Sequence, residues 1–255
     1  MKWQRDKQPA LDPAIDPDDL APPTWHRARE MAWLLPRLLG RLGHLDARGP
    51  EEGPPVLVIP GFLASDRATI DLRRALGRSG WRAHPWKMGV NRGAQPDTLA
   101  RLTDRVGEIG DGGKVLLVGW SLGGLYARAV AHHAPETVRG VVTLASPFSG
   151  DPKTNTNVRA LYERVAGHDV NHPPFAKPDG KPPVPTLAFW SRRDGVVAPS
   201  AARGAAHEVD HAVELDVYHG GMVLDRPALS HVCFTLRSFL EEHEGCCPIH
   251  GTRPN

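Results

Sequence analysis

The feature that most constrains this chain is a series of short, largely apolar runs separated by stretches of helical length. Val56–Ile59 is wholly apolar and stops at Pro60-Gly61. Val115–Trp120 is a second such run, and Val138–Leu144, Thr186–Trp190 and Val213–Tyr218 follow, with Trp81–Met88 a weaker member. A strand covered on both faces shows no polar alternation, so these runs predict buried strands. Helices are expected at about Ser65–Ser79, at Pro96–Ile109 (or from Asp97), at Leu122–His133 and, closing the chain, at Pro227–His243. Strand–helix alternation at this spacing predicts an α/β fold, a mostly parallel sheet with helices on both faces. Ligands of such sheets bind beyond the carboxyl ends of the strands. The junctions where strands become loops are therefore where function is sought.

The 255 residues suit one large α/β domain or two small ones, and 40% hydrophobic content excludes a disordered chain. Lys and Arg number 31 against 29 Asp and Glu, a net charge of +2 that argues against wholesale nucleic-acid binding. The three cysteines all lie at or beyond Cys233, which is no disulfide framework and favours a reducing compartment. No run approaches the ~18 apolar residues of a membrane helix, and residues 1–20 are too charged and proline-broken for a signal peptide. A cytoplasmic protein is the expectation. Residues 1–50 read as an N-terminal arm followed by a helix from Thr24 to about Leu45 packed on the domain. Trp25, Met31, Trp33, Leu34, Leu38 and Leu42 supply its apolar face, and Pro36 predicts a kink or break. Its arginines 27, 29, 37 and 41 make peripheral membrane contact the weaker alternative. Residues 51–243 then form the α/β domain with a small insertion or cap at 148–185, and 244–255 a flexible tail.

The chemistry concentrates at Gly119-Trp120-Ser121-Leu122-Gly123-Gly124, between the apolar run 115–120 and the helix that follows. A serine on a strand-to-helix turn is held in a cramped backbone conformation, and glycines two residues either side relieve the crowding. The turn lifts the hydroxyl above the sheet and sets backbone N–H groups at a helix N-terminus, where developing negative charge is stabilised.

A serine hydroxyl is a poor nucleophile at neutral pH and needs a base, and the base an orienter. After Ser121 the fitting acid is Asp194, in Ser191-Arg192-Arg193-Asp194-Gly195, just beyond the run 186–190 in a turn that Gly195 can complete. The fitting base is His219, in Tyr218-His219-Gly220-Gly221-Met222, just past the last strand. All three fall at one edge of the sheet. His207 and His211 precede the last strand and belong to its other end, His231 lies inside the closing helix, and Asp216 is expected mid-strand, pointing into the packing. Asp210 and Asp225 fit less well still. The oxyanion of acyl transfer needs fixed donors. Leu122 N–H follows the nucleophile, and the loop Ile59-Pro60-Gly61-Phe62-Leu63 offers Phe62 N–H, because Pro60 has none.

These pieces resemble the α/β-hydrolases of the bacterial esterase/lipase type, from about Pro55 to the closing helix. The resemblance rests on Val58-Ile59-Pro60-Gly61-Phe62, the serine turn, Thr143-Leu144-Ala145-Ser146-Pro147-Phe148, Asp194-Gly195-Val196-Val197 and His219-Gly220-Gly221-Met222. It implies a Ser121–His219–Asp194 triad and hydrolysis of carboxylic esters. One position departs: Pro60 stands where the family often has histidine before the glycine.

The insertion holds a helical stretch, Asn157–Ala166, and a proline-dense loop, Asn171–Pro185. A cap at this position can shape an acyl pocket. Trp120, Phe148 and Met222 are the expected substrate-binding residues, with Leu161, Tyr162 and Phe175 as further lining and Asn91 or Arg92 within reach. Adjacent Cys246 and Cys247 lack zinc spacing, so no metal and no cofactor is expected. The expected partner is a small ester or lipid. The alternatives are an acyltransferase with the same triad, in which an alcohol replaces water, and a non-catalytic interaction protein that keeps the fold.

Overall fold

The computed structural model describes residues 17–39, 49–175 and 180–244. Six strands, β1 (Pro55–Ile59), β2 (Arg82–Pro85), β3 (Val115–Trp120), β4 (Val138–Leu144), β5 (Thr186–Trp190) and β6 (His211–Glu214), form one sheet in the order β2-β1-β3-β4-β5-β6, every pair parallel. The register aligns Val58, Val118, Val142 and Leu187 in one row and Leu57, Leu117, Val141 and Thr186 in the next. Side chains alternate across a strand. The first row therefore faces α2 (Ile70–Arg78), α7 (Gly221–Leu224) and α8 (Arg226–Glu244), and Leu57, Leu117 and Val141 face α3 (Thr98–Gly110) and α4 (Leu122–His133). These central strands are buried on both faces, which is why their runs carry no polar alternation.

The chain leaves β1 toward β2 on one side and returns as β3 on the other. That reversal opens a crevice at the carboxyl ends of β1 and β3, where α/β sheets place ligands. The loop Pro60–Phe62 and Ser121 both emerge there.

Several boundaries differ from the sequence expectation. The segment read as strand Val213–Tyr218 pairs only at 211–214, so His211 opens β6 rather than preceding it. Leu215 N–H still reaches the Trp190 carbonyl, but Val217 N–H turns back onto Leu215. Asp216 consequently sits exposed in the loop, 3.4 Å from Arg193, and not in the sheet packing. α2 starts at Ile70 because the Asp66 carboxylate, 3.0 and 3.2 Å from the Trp86 and Lys87 N–H groups, ties 65–69 to the end of β2.

The N-terminal helix α1 spans Thr24–Leu39 and continues through Pro36 without ending there. Trp25 and Met31, expected on its buried face, are 53% and 43% exposed, and among the described side chains of α1 the buried one is Glu30. Readings that fall on residues 1–16, on Arg41 and Leu42, on the side chains of 33–39, and on Cys246 and Cys247 lie outside what the structure describes. Among the described residues no helix is long and apolar enough to cross a membrane.

Candidate active site

Ser121 joins β3 to α4 with φ 53° and ψ −122°, a left-handed conformation that a serine adopts only when its surroundings impose it. The surroundings do so through close approach. A Cβ on Gly119 would strike the backbone of Gly123 and Gly124, and one on Gly123 would strike the Ile59 and Pro60 carbonyls. The β1 loop is just as near: a Cβ on Gly61 would lie 3.1 Å from Ser121 Cβ.

Two residues that line the cavity beside Ser121 have N–H groups left unspent. Among the described residues neither Phe62 N–H nor Leu122 N–H makes a hydrogen bond, whereas their neighbours Leu63 and Gly124 donate to Asn91 and Ser121 carbonyls at 2.7 and 3.0 Å. Leu122 is the first residue of α4, so its N–H has no partner within the helix. Asn91 sequence reasoning placed within substrate reach, but it is 1% exposed and structural in its contacts. Its Nδ2 donates to the Pro60 carbonyl at 2.8 Å, and its Oδ1 accepts from Gly93 N–H and the Tyr126 hydroxyl at 3.2 and 3.3 Å.

Asp194 and His219 meet at the carboxyl edge of the sheet, with Asp194 Oδ2 2.8 Å from His219 Nδ1 and both side chains buried. The other carboxylate oxygen of Asp194 accepts from Val196 and Val197 N–H at 2.8 and 2.9 Å, which fixes its rotamer. A carboxylate on Nδ1 selects the tautomer protonated there and leaves Nε2 as the basic atom. Burial disfavours the imidazolium, but the Asp194 charge, its hydrogen bond and the Glu30 charge together hold the His219 pKa above the ordinary histidine value. The serine side is fixed differently. No hydrogen bond joins the Ser121 hydroxyl to the ring among the described residues. What ties His219 to the elbow is the preceding Trp120, whose indole Nε1 donates to the His219 carbonyl at 3.1 Å with the rings 5.5 Å apart.

A cavity of about 130 Å³ opens beside Ser121, lined mainly by Phe62, Leu122, Leu125, Phe148, Tyr162 and Phe175. Of the three side chains expected to bind substrate, Phe148 lines it. Trp120 and Met222 do not: both are buried in the core on the α2, α7 and α8 side. Leu161 points outward, 42% exposed, while its neighbour Tyr162 packs on Phe62 with rings 5.3 Å apart.

Ser191 and Arg128 are among the residues the sequence did not single out. Ser191, fully buried, donates from Oγ to the Val217 carbonyl at 2.7 Å and accepts from Arg193 N–H at 3.0 Å, joining the acid loop to the histidine loop. Arg128 lines the cavity from α4, donating to the Glu208 and Gly180 carbonyls with its guanidinium 4.3 Å from the Phe148 ring. Burial lowers its pKa to about 10, against the Glu208 charge, so it remains a cation at neutral pH. A lone arginine in an otherwise small-residue helix was the available signal.

The model of the alpha/beta hydrolase fold matches residues 54–172, from β1 through the serine elbow into the insertion. No curated protein matches by sequence. Among solved structures, the chain is similar to MGS-MChE2, an alpha/beta hydrolase enzyme from the metagenome of lagoon sediments at Mar Chica, Morocco. The TM-score is 0.55 at 20% identity, covering 77% of this chain and 94% of that one. It is also similar to the carboxylesterase CesB of Bacillus subtilis, with TM-score 0.51, 15% identity, and 85% and 98% covered. A third is the monoacylglycerol lipase of Paleococcus ferrophilus, with TM-score 0.51, 16% identity, and 75% and 96% covered. The all-parallel sheet, its flanking helices and the matched segment give this chain the α/β-hydrolase fold.

Proposed function

We propose that this chain is a serine esterase that cleaves carboxylic esters with small acyl groups through Ser121, His219 and Asp194. The observation that carries this reading is the buried 2.8 Å Asp194–His219 pair at the same sheet edge as a serine held at positive φ. His219 Nε2 takes the proton as Ser121 Oγ attacks the ester carbonyl, and Asp194 stabilises the imidazolium that forms. The tetrahedral oxyanion sits between Phe62 and Leu122 N–H, two donors not otherwise engaged among the described residues. The imidazolium then protonates the leaving alcohol, and water activated by the same histidine releases the acid and frees Ser121. The acyl group occupies the apolar cavity. A space of roughly 150 Å³ takes a benzene-sized molecule, so a cavity of about 130 Å³ suits acyl chains of about six carbons or fewer.

The test is hydrolysis of p-nitrophenyl esters from acetate to palmitate, with Ser121→Ala as control and fluorophosphonate labelling as an independent readout. Turnover confined to short chains, lost in Ser121→Ala, is expected. Full activity of that variant, or no labelling of the wild-type serine, rejects the reading.

A further inference from the structure

We infer that Glu30, on the N-terminal helix, is a positioning residue of the active site, its carboxylate pinning the acid loop and the histidine loop to each other. The inference rests on the serine-hydrolase reading above. Glu30 lies 165 residues from one loop and 189 from the other. It is 3% exposed. Its Oε1 accepts from Gly195 N–H at 3.0 Å and from His219 N–H at 2.7 Å, and Oε2 from Gly220 N–H at 3.4 Å. One carboxylate thus binds the residue after the acid, the base itself and the residue after the base. A hydrogen bond to a charged acceptor is stronger than a neutral one, and here three converge. Gly195 has a different task from completing a turn: a Cβ there would lie 2.6 Å from Glu30 Cγ, so glycine is what lets α1 approach.

The rest of the segment works in the same direction. Arg29 donates to the Tyr218 hydroxyl at 2.9 Å, next to His219. Asn157 donates from Nδ2 to the Pro22 and Gly195 carbonyls at 2.9 and 2.8 Å, and Arg27 donates to the Asn157 carbonyl at 3.0 Å. Asp18 pairs with Arg192 at 2.8 Å. Residues 18–30 therefore strap together the loops that carry the acid and the base.

Glu30 also adds negative charge behind the imidazole, in the same sense as Asp194. The groups packed around His219 are Asp194 from the loop after β5, Glu30 from α1 and the neutral Trp120 from β3. Tyr218 stands beside it, with Arg29 and Arg193 at its ring and Asp216 paired to Arg193. The two carboxylates hydrogen-bonded to the residue, one at the ring and one at the backbone, both favour the protonated form.

The experiment compares wild type, Glu30→Gln and Glu30→Ala on p-nitrophenyl butyrate from pH 5 to 9, with melting curves. In Glu30→Ala, kcat is expected to fall about 10–100-fold, the scale of a small misplacement of catalytic groups, with KM within about threefold. Glu30→Gln keeps the shape and one acceptor oxygen. It recovers most of kcat at pH 8 but moves the acid limb of kcat/KM down by roughly 0.5–1 unit. In a Ser121→Ala background, a 1H–15N titration of the His219 ring reads the same shift without turnover. Folded Glu30 variants with wild-type kcat and an unmoved His219 titration overturn the inference. Wild type inactive on every ester while Glu30→Gln still lowers the His219 titration sinks the esterase reading and leaves the positioning role standing.

Discussion

Asn91 Nδ2 donates to the Pro60 carbonyl at 2.8 Å, joining the loop after β2 to the loop after β1. The two loops are also laced by backbone: Leu63 N–H reaches the Asn91 carbonyl at 2.7 Å and Asn91 N–H the Ala64 carbonyl at 2.8 Å. Phe62 lies between Pro60 and Leu63, so its N–H is aimed by contacts on both sides of it. Proline at position 60 removes one donor, and Asn91 holds the carbonyl that remains.

Asn91→Ala should therefore weaken transition-state stabilisation more than binding. Loss of one oxyanion donor costs about 3–4 kcal/mol, so a donor merely loosened is expected to cost about 10–100-fold in kcat with KM nearly constant. The buried Pro60 carbonyl left without its donor lowers stability by about 1–3 kcal/mol. Steady-state kinetics and denaturant melts read the two effects separately. An equal rise in KM with kcat unchanged would assign Asn91 to ground-state binding instead.

The pH dependence follows from the sign of the His219 shift. Its pKa is raised in the folded protein, and only the neutral ring serves as base, so kcat/KM should fall as pH drops through a value above the ordinary 6.5. The same raised value gives a stability contribution fully present below the unfolded pKa and lost as pH rises through the folded one. Asp194→Asn removes the nearest charge and should move the acid limb downward while cutting kcat severely, because the ring loses its orienter. A kcat/KM profile flat to pH 4 in wild type would exclude His219 as the base.

Much of this was legible in the sequence. The strands β3, β4 and β5 were readable because burial on both faces leaves an uninterrupted apolar run. The serine elbow was readable because its glycines answer to backbone crowding alone. What escaped depended on direction. Trp120 and Met222 are neighbours of Ser121 and His219 in sequence, but they turn to the α7 and α8 side, away from the cavity that begins at Leu122 and Phe62. Glu30 was invisible because an acid in an amphipathic helix reads as solvent-facing. Nothing local tells that its partners are backbone N–H groups more than 160 residues away. The end of β6 was overread because the apolar alternation of 213–217 continues after the chain has left the sheet.

Ser191→Ala tests the link between the acid and histidine loops at its other end. The hydroxyl is buried and both donates to Val217 and accepts from Arg193, so its loss leaves two backbone groups short of a partner. Stability should fall by about 1–3 kcal/mol. Activity should fall with it, because Val217 lies two residues before His219 and Arg193 one before Asp194. Thermal melts with parallel esterase assays check both. Ser191→Thr, which keeps the hydroxyl, is expected to recover more than Ser191→Ala, and no difference between the two would place the effect in packing.

The size of the acyl pocket is the last quantity open to design. Phe175 lines the cavity and meets Tyr126 of α4 edge-on, with ring centroids 6.1 Å apart. Phe175→Ala removes a ring from an apolar wall without touching the elbow, the Asp194–His219 pair or the free N–H groups. Each methylene newly buried contributes about 0.8 kcal/mol, close to a fourfold change in kcat/KM. Two methylenes gained should raise octanoate over butyrate by about 15-fold relative to wild type, with kcat on acetate little changed. The acyl series used for wild type measures this directly. An unchanged chain-length profile would place the acyl group in some other part of the crevice, since a wall that touches the substrate must alter its length preference when it is cut back.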